Sequence, residues 1–242
     1  MILEPTSAVS ADRKGGSANR MFAAANAAGP QGVDTTSTTE GVGSSPIISS
    51  TKDIYAILRL LMLKSVRPEA LVDNPFKMIG KDWMLVTACT RKIDEDGNVI
   101  NGRANTMTAS WGGVGILWNK PVATIYLRPT RYTKEIIDQT DEFSLTVLPE
   151  KYRNALNYCG SHSGRDEDKF RAAKLTLDFM NDVPWVKEGR VVLFCRKLYA
   201  QEMDPNSFTD EKICNQNYRK NDFHTMYIAE ITKVLMETRD TK

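Results

Sequence analysis

The chain has 242 residues, 41% of them hydrophobic, which suffices for one generous domain or two small ones, and one domain with a tail is the expected arrangement. Its 32 basic and 30 acidic residues nearly cancel, leaving a formal net charge of +2 that gives no basis for a nucleic-acid partner. No run of about 18 apolar residues is available to cross a bilayer, and the opening M-I-L-E-P-T-S-A-V lacks the basic start and apolar core of a secretory signal, so a cytoplasmic protein with no membrane partner is expected.

In chain order, residues 1–50 are rich in Ala, Gly, Ser and Thr and are expected to be a disordered tail, because they offer too little apolar surface to offset ordering entropy. A helical lead-in is expected over residues 51–73. There Ile54, Ile57, Leu58, Leu61 and Met62 recur at helical spacing behind a possible Asp53 cap, predicting a helix from Asp53 to Lys64. From Asn74 the pattern becomes strand-like. W-M-L-V-T-A-C-T-R-K runs into the turn D-E-D-G-N, and the chain returns through Val99 to Ser110 as the second arm of a hairpin. Val122 to Leu127 reads as another strand, and R-P-T-R-Y-T-K-E-I-I-D-Q as a turn into a short helix. Phe143, Leu145 and Val147 alternate with Ser144 and Thr146, predicting a half-buried strand. Short helices are expected at Lys151–Cys159 and Asp166–Ala173. Strands come next around Val191–Ala200 and Thr225–Met236, separated by a polar stretch. Many strands with few short helices and no regular alternation exclude a doubly wound parallel sheet and favour a closed or split β-barrel.

The chemistry concentrates between Asn105 and Thr133. This segment places amides, hydroxyls, glycines and two arginines among apolar and aromatic side chains, the mixture that grips a flat ring carrying a phosphate. Thr108 and Ser110 equally suit ordinary turn chemistry, and Trp111 a buried core ring. Arg128, Arg131 and Thr133 suit an anion seat, or else a solvated helix start in which Arg131 pairs with Glu135. No G-x-S-x-G, P-loop or H-E-x-x-H is present, which removes support from hydrolase and kinase readings. Cys89, Cys159, Cys195 and Cys214 are far apart, and Cys159 with His162 lacks a second ligand pair, so neither a disulfide framework nor a metal site is expected.

N-T-M-T-A-S-W-G-G-V-G-I-L-W-N-K-P and L-R-P-T-R-Y-T, followed in order by F-S-L-T-V-L-P, C-G-S-H-S-G-R-D-E-D-K-F and H-T-M-Y-I-A-E-I, resemble the FMN-binding split-barrel flavin reductase family, nearest to its flavoredoxin-like branch. The likeness runs from about Asn74 to residue 242. It implies a mainly β fold, a Greek-key split barrel with a few short flanking helices over residues 74–242, assembled as a homodimer with FMN bound near the subunit interface. Carried over by position, Asn105, Met107, Thr108, Ala109, Ser110 and Trp111 would meet the flavin, as would Arg128, Arg131, Tyr132 and Thr133. Ser163 and Lys169 would join them from the S-G-R-D-E-D-K-F loop. His224 matches a position near the flavin or nicotinamide and is the candidate catalytic residue. The implied activity is an FMN oxidoreductase taking hydride from NADH or NADPH and passing electrons to free flavin or a protein acceptor. The alternative is a flavoredoxin-type electron carrier reduced by a redox partner protein, and a third reading is an interaction module that binds no flavin.

Overall fold

The computed structural model describes residues 62–237. The tail expected over residues 1–50 lies outside the described residues, as does the predicted helix from Asp53 except for residues 62–64. Leu63 and Lys64 belong not to that helix but to a strand, β1 (Leu63–Val66), which pairs antiparallel with the last strand, β10 (Thr225–Glu237). The cause is a vacancy in hydrogen bonding: β5 (Lys120–Leu127) accompanies β10 only as far as Glu230, so the edge of Val234–Glu237 needs another partner.

The other strands are β2 (Met84–Ile93), β3 (Val99–Ala109), β4 (Gly112–Leu117), β6 (Glu142–Val147) and β9 (Val191–Glu202), with a separate hairpin of β7 (Leu177–Met180) and β8 (Val183–Val186). The large sheet runs β3-β2-β6-β9-β10-β5-β4 with every pairing antiparallel. Hairpins β2–β3 and β4–β5 sit at its two ends, while β6, β9 and β10 fill the middle, giving the Greek-key path of a split barrel. The β2–β3 turn is closed by the Asp94 carboxylate, which accepts from the backbone N–H of Asp96 and Asn98 at 3.1 and 2.7 Å. Trp118 and Asn119, both at positive φ, make the tight β4–β5 turn.

Inward-facing Val86, Met107, Ile125, Phe143, Leu145, Leu193 and Tyr227 form the barrel core. The predicted half-buried β6 is instead buried on both faces. Ser144 and Thr146 lie on its outer side, where the β7–β8 hairpin covers them and Ser144 Oγ donates to Pro184 O at 2.6 Å. The same double covering accounts for the continuous apolar run of β2. Short helices complete the packing: α1 (Pro75–Lys77), which runs into a π-helical turn at Met78–Asp82, and α2 (Tyr132–Asp138) bring Met78, Ile79, Ile136 and Ile137 to the barrel core, whereas α3 (Arg153–Ser161) and α4 (Lys169–Ala172) pack Leu156, Cys159 and Phe170 against Leu85 on an outer face. The polar stretch between β9 and β10 also contains a helix, α5 (Glu211–Asn217), capped by the Asp210 carboxylate. Among the described residues, no helix is long and apolar enough to cross a membrane.

Arg190, before β9, ties the lead-in to the barrel by pairing with Asp73 and with Asp82, the latter at 2.8 Å. Arg190→Met strands two mostly covered carboxylates, and their residual exposure lets water offset part of the loss. A stability loss of about 2 kcal/mol is expected, read from urea unfolding.

Candidate functional site

Two adjoining hollows open where β3, the β3–β4 link, the β5–α2 turn and the α3–α4 loop converge. The first, of about 220 Å³, is lined by Met107 to Trp111 together with Tyr126, Arg128, Arg131 and His224. The second, of about 90 Å³, is lined by Asn105, Met107 and the Thr130–Thr133 turn, facing Ser161 to Gly164 and Lys169. Met107 and Arg131 wall both. Every residue nominated from the sequence lines one hollow or the other, and Ser110, Arg128 and Arg131 share the first.

Local structure explains the convergence. Ala109 ends β3 and Gly112 starts β4, so Ser110 and Trp111 form the link that turns the chain across the barrel mouth. Gly112 permits the close approach, since a Cβ there would lie 2.5 Å from Thr124 O. Pro129 and Thr130 then turn the chain from β5 into α2, which delivers Arg131, Tyr132 and Thr133 beside Asn105. The Asn105 amide donates to Thr133 Oγ1 at 2.9 Å, and both side chains are buried. Gly164 packs against that amide so closely that a Cβ would stand 2.0 Å from Asn105 Oδ1.

The cations differ in how far they are already engaged. Arg128 is paired with Asp222 at 2.7 Å, donates to Asn217 O at 2.8 Å and stacks on Tyr218, so it is not the open fork that an anion seat calls for. Arg131 donates to Gly160 O at 3.0 Å, and among the described residues no carboxylate pairs with it. Its alternative partner Glu135 is taken by Arg165. Lys169 is only 3% exposed, and its Nζ donates to the carbonyls of Cys159 at 2.8 Å and His162 at 3.2 Å. Burial pulls its pKa below the ordinary lysine value, with Arg131 adding to the effect. A buried ammonium with carbonyl partners and, among the described residues, no paired carboxylate, beside a second such cation, has the chemistry to receive an anion.

The remaining nominated side chains divide in the same way. Thr108 Oγ1 is spent on Leu156 O of α3 at 2.6 Å, whereas the Ser110 hydroxyl holds no hydrogen bond among the described residues. Tyr132 is held between the guanidinium groups of Arg103 and Arg165, 4.9 and 5.2 Å from its ring centre. Trp111 is half-exposed and tilts against the His224 ring at 5.0 Å between centroids. His224 is 7% exposed and shares a hydrogen bond of 2.8 Å with the Tyr218 hydroxyl. Its pKa falls to about 4, chiefly through burial and then through Arg128, so the imidazole is neutral near pH 7.

Sequence reasoning missed Tyr126, Thr130, Ser161 and His162 as lining residues, and Tyr218 and Asp222 as the partners that hold His224 and Arg128. Thr130 and His162 adjoin nominated positions. Tyr218 and Asp222 sit in a polar stretch without periodicity, and only the fold brings them to the hollow.

Residues 79–242 match the family model of the flavin reductase like domain. Among solved structures, the chain is similar to an FMN-binding domain of a flavin reductases-like enzyme from Shewanella baltica OS155, with 21% identity, 72% of this chain and 77% of that chain covered, and a TM-score of 0.50. It is also similar to flavoredoxin of Desulfovibrio vulgaris (Miyazaki F), with 24% identity, coverage of 65% and 72%, and a TM-score of 0.48. Flavoredoxin from Methanosarcina acetivorans shows 21% identity, coverage of 64% and 68%, and a TM-score of 0.47. No curated protein matches. At these identities the Shewanella likeness speaks for the fold.

Proposed function

Since the chain belongs to the flavin reductase like domain family, we propose that it is an FMN-dependent oxidoreductase that accepts a hydride from NADH or NADPH and delivers electrons to free flavin or a protein acceptor. The observation that carries this reading is the pairing of unequal hollows. The larger has aromatic walls and the uncommitted Ser110 hydroxyl, and the smaller has two cations that pair with no carboxylate among the described residues.

A phosphate in the smaller hollow gives Lys169 and Arg131 the anion they lack, with Ser163 and Thr133 as hydroxyl partners; Thr133 accepts from Asn105 and retains its own proton to donate. A planar ring in the larger hollow lies along Met107 to Trp111 with Ser110 available at its edge. The two hollows together reach the lower end of the roughly 300–1,000 Å³ usual for small-molecule sites. Bound flavin supplies the hydride and electron chemistry, so the chain needs no nucleophile of its own. Neutral His224, fixed by Tyr218 and leaning on Trp111, acts as a hydrogen-bonding wall rather than as a proton reservoir. His224→Ala is expected to alter flavin affinity or nicotinamide oxidation kinetics, and no change in either removes it from the site.

Gly164→Ala forces the Asn105 amide out of its place against Thr133. FMN affinity should fall about tenfold, measured by flavin fluorescence quenching, with the far-ultraviolet circular dichroism of the fold retained. Assembly as a homodimer belongs to the same proposal. It is supported by β4, an edge strand that ends in exposed Ile116, Leu117 and Trp118, and is checked by sedimentation.

Anaerobic mixing of the FMN-loaded protein with NADH or NADPH tests the donor. Rapid bleaching of the flavin is the expected result. Bleaching only by a reduced redox protein would assign the chain to the flavoredoxin-type carriers instead.

A further inference from the structure

Ser110 and Trp111 also line another cavity, a groove of about 510 Å³ walled by Phe76, Ile79, Trp111 and Val114 along Gly112 and Gly113. None of its lining side chains is ionisable, whereas the hollow next to it contains Arg128, Arg131 and His224. We propose that this groove binds a further electron acceptor beside free flavin or a protein, a neutral fused-ring quinone; the proposal rests on the flavin reading of the neighbouring hollows.

Phe76 is 88% exposed, yet its backbone is fixed. The Asn74 side chain caps α1 by accepting from the backbone N–H of Phe76 at 3.0 Å and of Lys77 at 3.4 Å, Pro75 presets the first turn, and buried Met78 and Ile79 anchor the π-helical turn that continues it. A large aromatic ring carried into water by a capped and anchored turn, lining the same groove as a half-exposed indole, offers apolar surface to a flat ring. Charge selects the ligand. A dinucleotide or a flavin phosphate would enter a groove with no cation to receive it, whereas a neutral ring loses no solvation that the groove fails to replace. The volume is suited to a bicyclic ring system. Trp111, shared by both spaces, places the acceptor next to the ring of the proposed cofactor. The reaction balances: the nicotinamide dinucleotide gives up two electrons and a proton as hydride, solvent provides the second proton, and the quinone leaves as the hydroquinone.

The test is calorimetric titration of the FMN-loaded protein with menadione and with a naphthoquinone sulfonate, for the wild type, Phe76→Ala and Phe76→Trp. Wild type should bind menadione in preference to the sulfonate. Phe76→Ala should weaken menadione about tenfold, Phe76→Trp should restore it, and FMN affinity should stay unchanged in both variants. In turnover, KM for menadione should rise in Phe76→Ala while kcat holds. Equal affinity of wild type and Phe76→Ala for menadione would overturn the proposal, and if that variant also shifted the protein from dimer to monomer, the groove would belong to a second copy. The two readings fail separately. A chain that binds FMN but no menadione refutes the groove alone, and one that binds menadione but no FMN refutes the flavin reading and with it the acceptor role.

Discussion

Replacing Lys169 with methionine is expected to weaken FMN binding about a hundredfold while riboflavin binds within about twofold of its wild-type affinity. Burial is the reason: Nζ has given up water for two backbone carbonyls and pairs with no carboxylate among the described residues, Glu167 acting only at longer range, so its charge is available to an incoming phosphate in a medium where charge–charge interaction is strong. Charge-assisted hydrogen bonds of this kind contribute roughly 1.5–3 kcal/mol, and the loss of one near the upper end corresponds to the stated factor. Riboflavin lacks the phosphate, so the comparison separates an electrostatic loss from general damage to the loop. Methionine also takes a donor from Cys159 O and His162 O, an effect that would weaken both ligands alike and that flavin-free urea unfolding reads independently. Equal weakening of FMN and riboflavin would show that Lys169 shapes the loop without meeting a phosphate.

The second large effect is a pH-dependent stability contribution from His224. Its folded pKa is depressed from an ordinary 6.5 to about 4 by burial first, with Arg128 and Arg131 adding to the shift and Asp222 opposing it. Below pH 6.5 the unfolded chain takes up a proton at this position that the native protein refuses until about pH 4, so the contribution is complete above the unfolded value and is lost as pH falls through that window. The loss approaches about 3 kcal/mol at its acid end. The groups facing the ring are the Tyr218 hydroxyl, the Trp111 indole, Arg128 with its partner Asp222, and Arg131. Carboxylates elsewhere titrate in the same range, so the measurement is the difference in unfolding free energy between wild type and His224→Asn at pH 7 and at pH 4.5. The gap should change by about 2 kcal/mol between the two, with the wild type losing more, and parallel curves would show that His224 is solvated.

How much of the molecule could be read from the sequence depended on how directly a residue's role is set by its neighbours in the chain. The β2–β3 hairpin could be read because D-E-D-G-N states its turn in the residues themselves, and α2 because Pro129 and Thr130 precede a helical repeat. β6 misled for the opposite reason: Ser144 and Thr146 are polar as a solvent face would be, but the β7–β8 hairpin settles over them, where the Ser144 hydroxyl finds the Pro184 carbonyl and the Thr146 hydroxyl is buried without a partner among the described residues. β1 was hidden because its four residues pair with a segment at the far end of the described chain, and nothing local marks Leu63–Val66 as a strand. At the site, types and positions were readable but engagement was not. Arg128 and Arg131 look alike in L-R-P-T-R-Y-T, and only the return of the chain through Asp222 separates a satisfied guanidinium from an open one.

The flavin reading stands or falls on whether the two hollows around Met107 and Arg131 hold one riboflavin phosphate. Titration of FMN into the flavin-stripped protein, followed by the quenching of flavin fluorescence, decides it. Saturation at equimolar FMN is expected, with a dissociation constant at or below micromolar, about −8 kcal/mol, and weaker binding of riboflavin. FMN that fails to bind at such concentrations, or binds no better than riboflavin, would refute it.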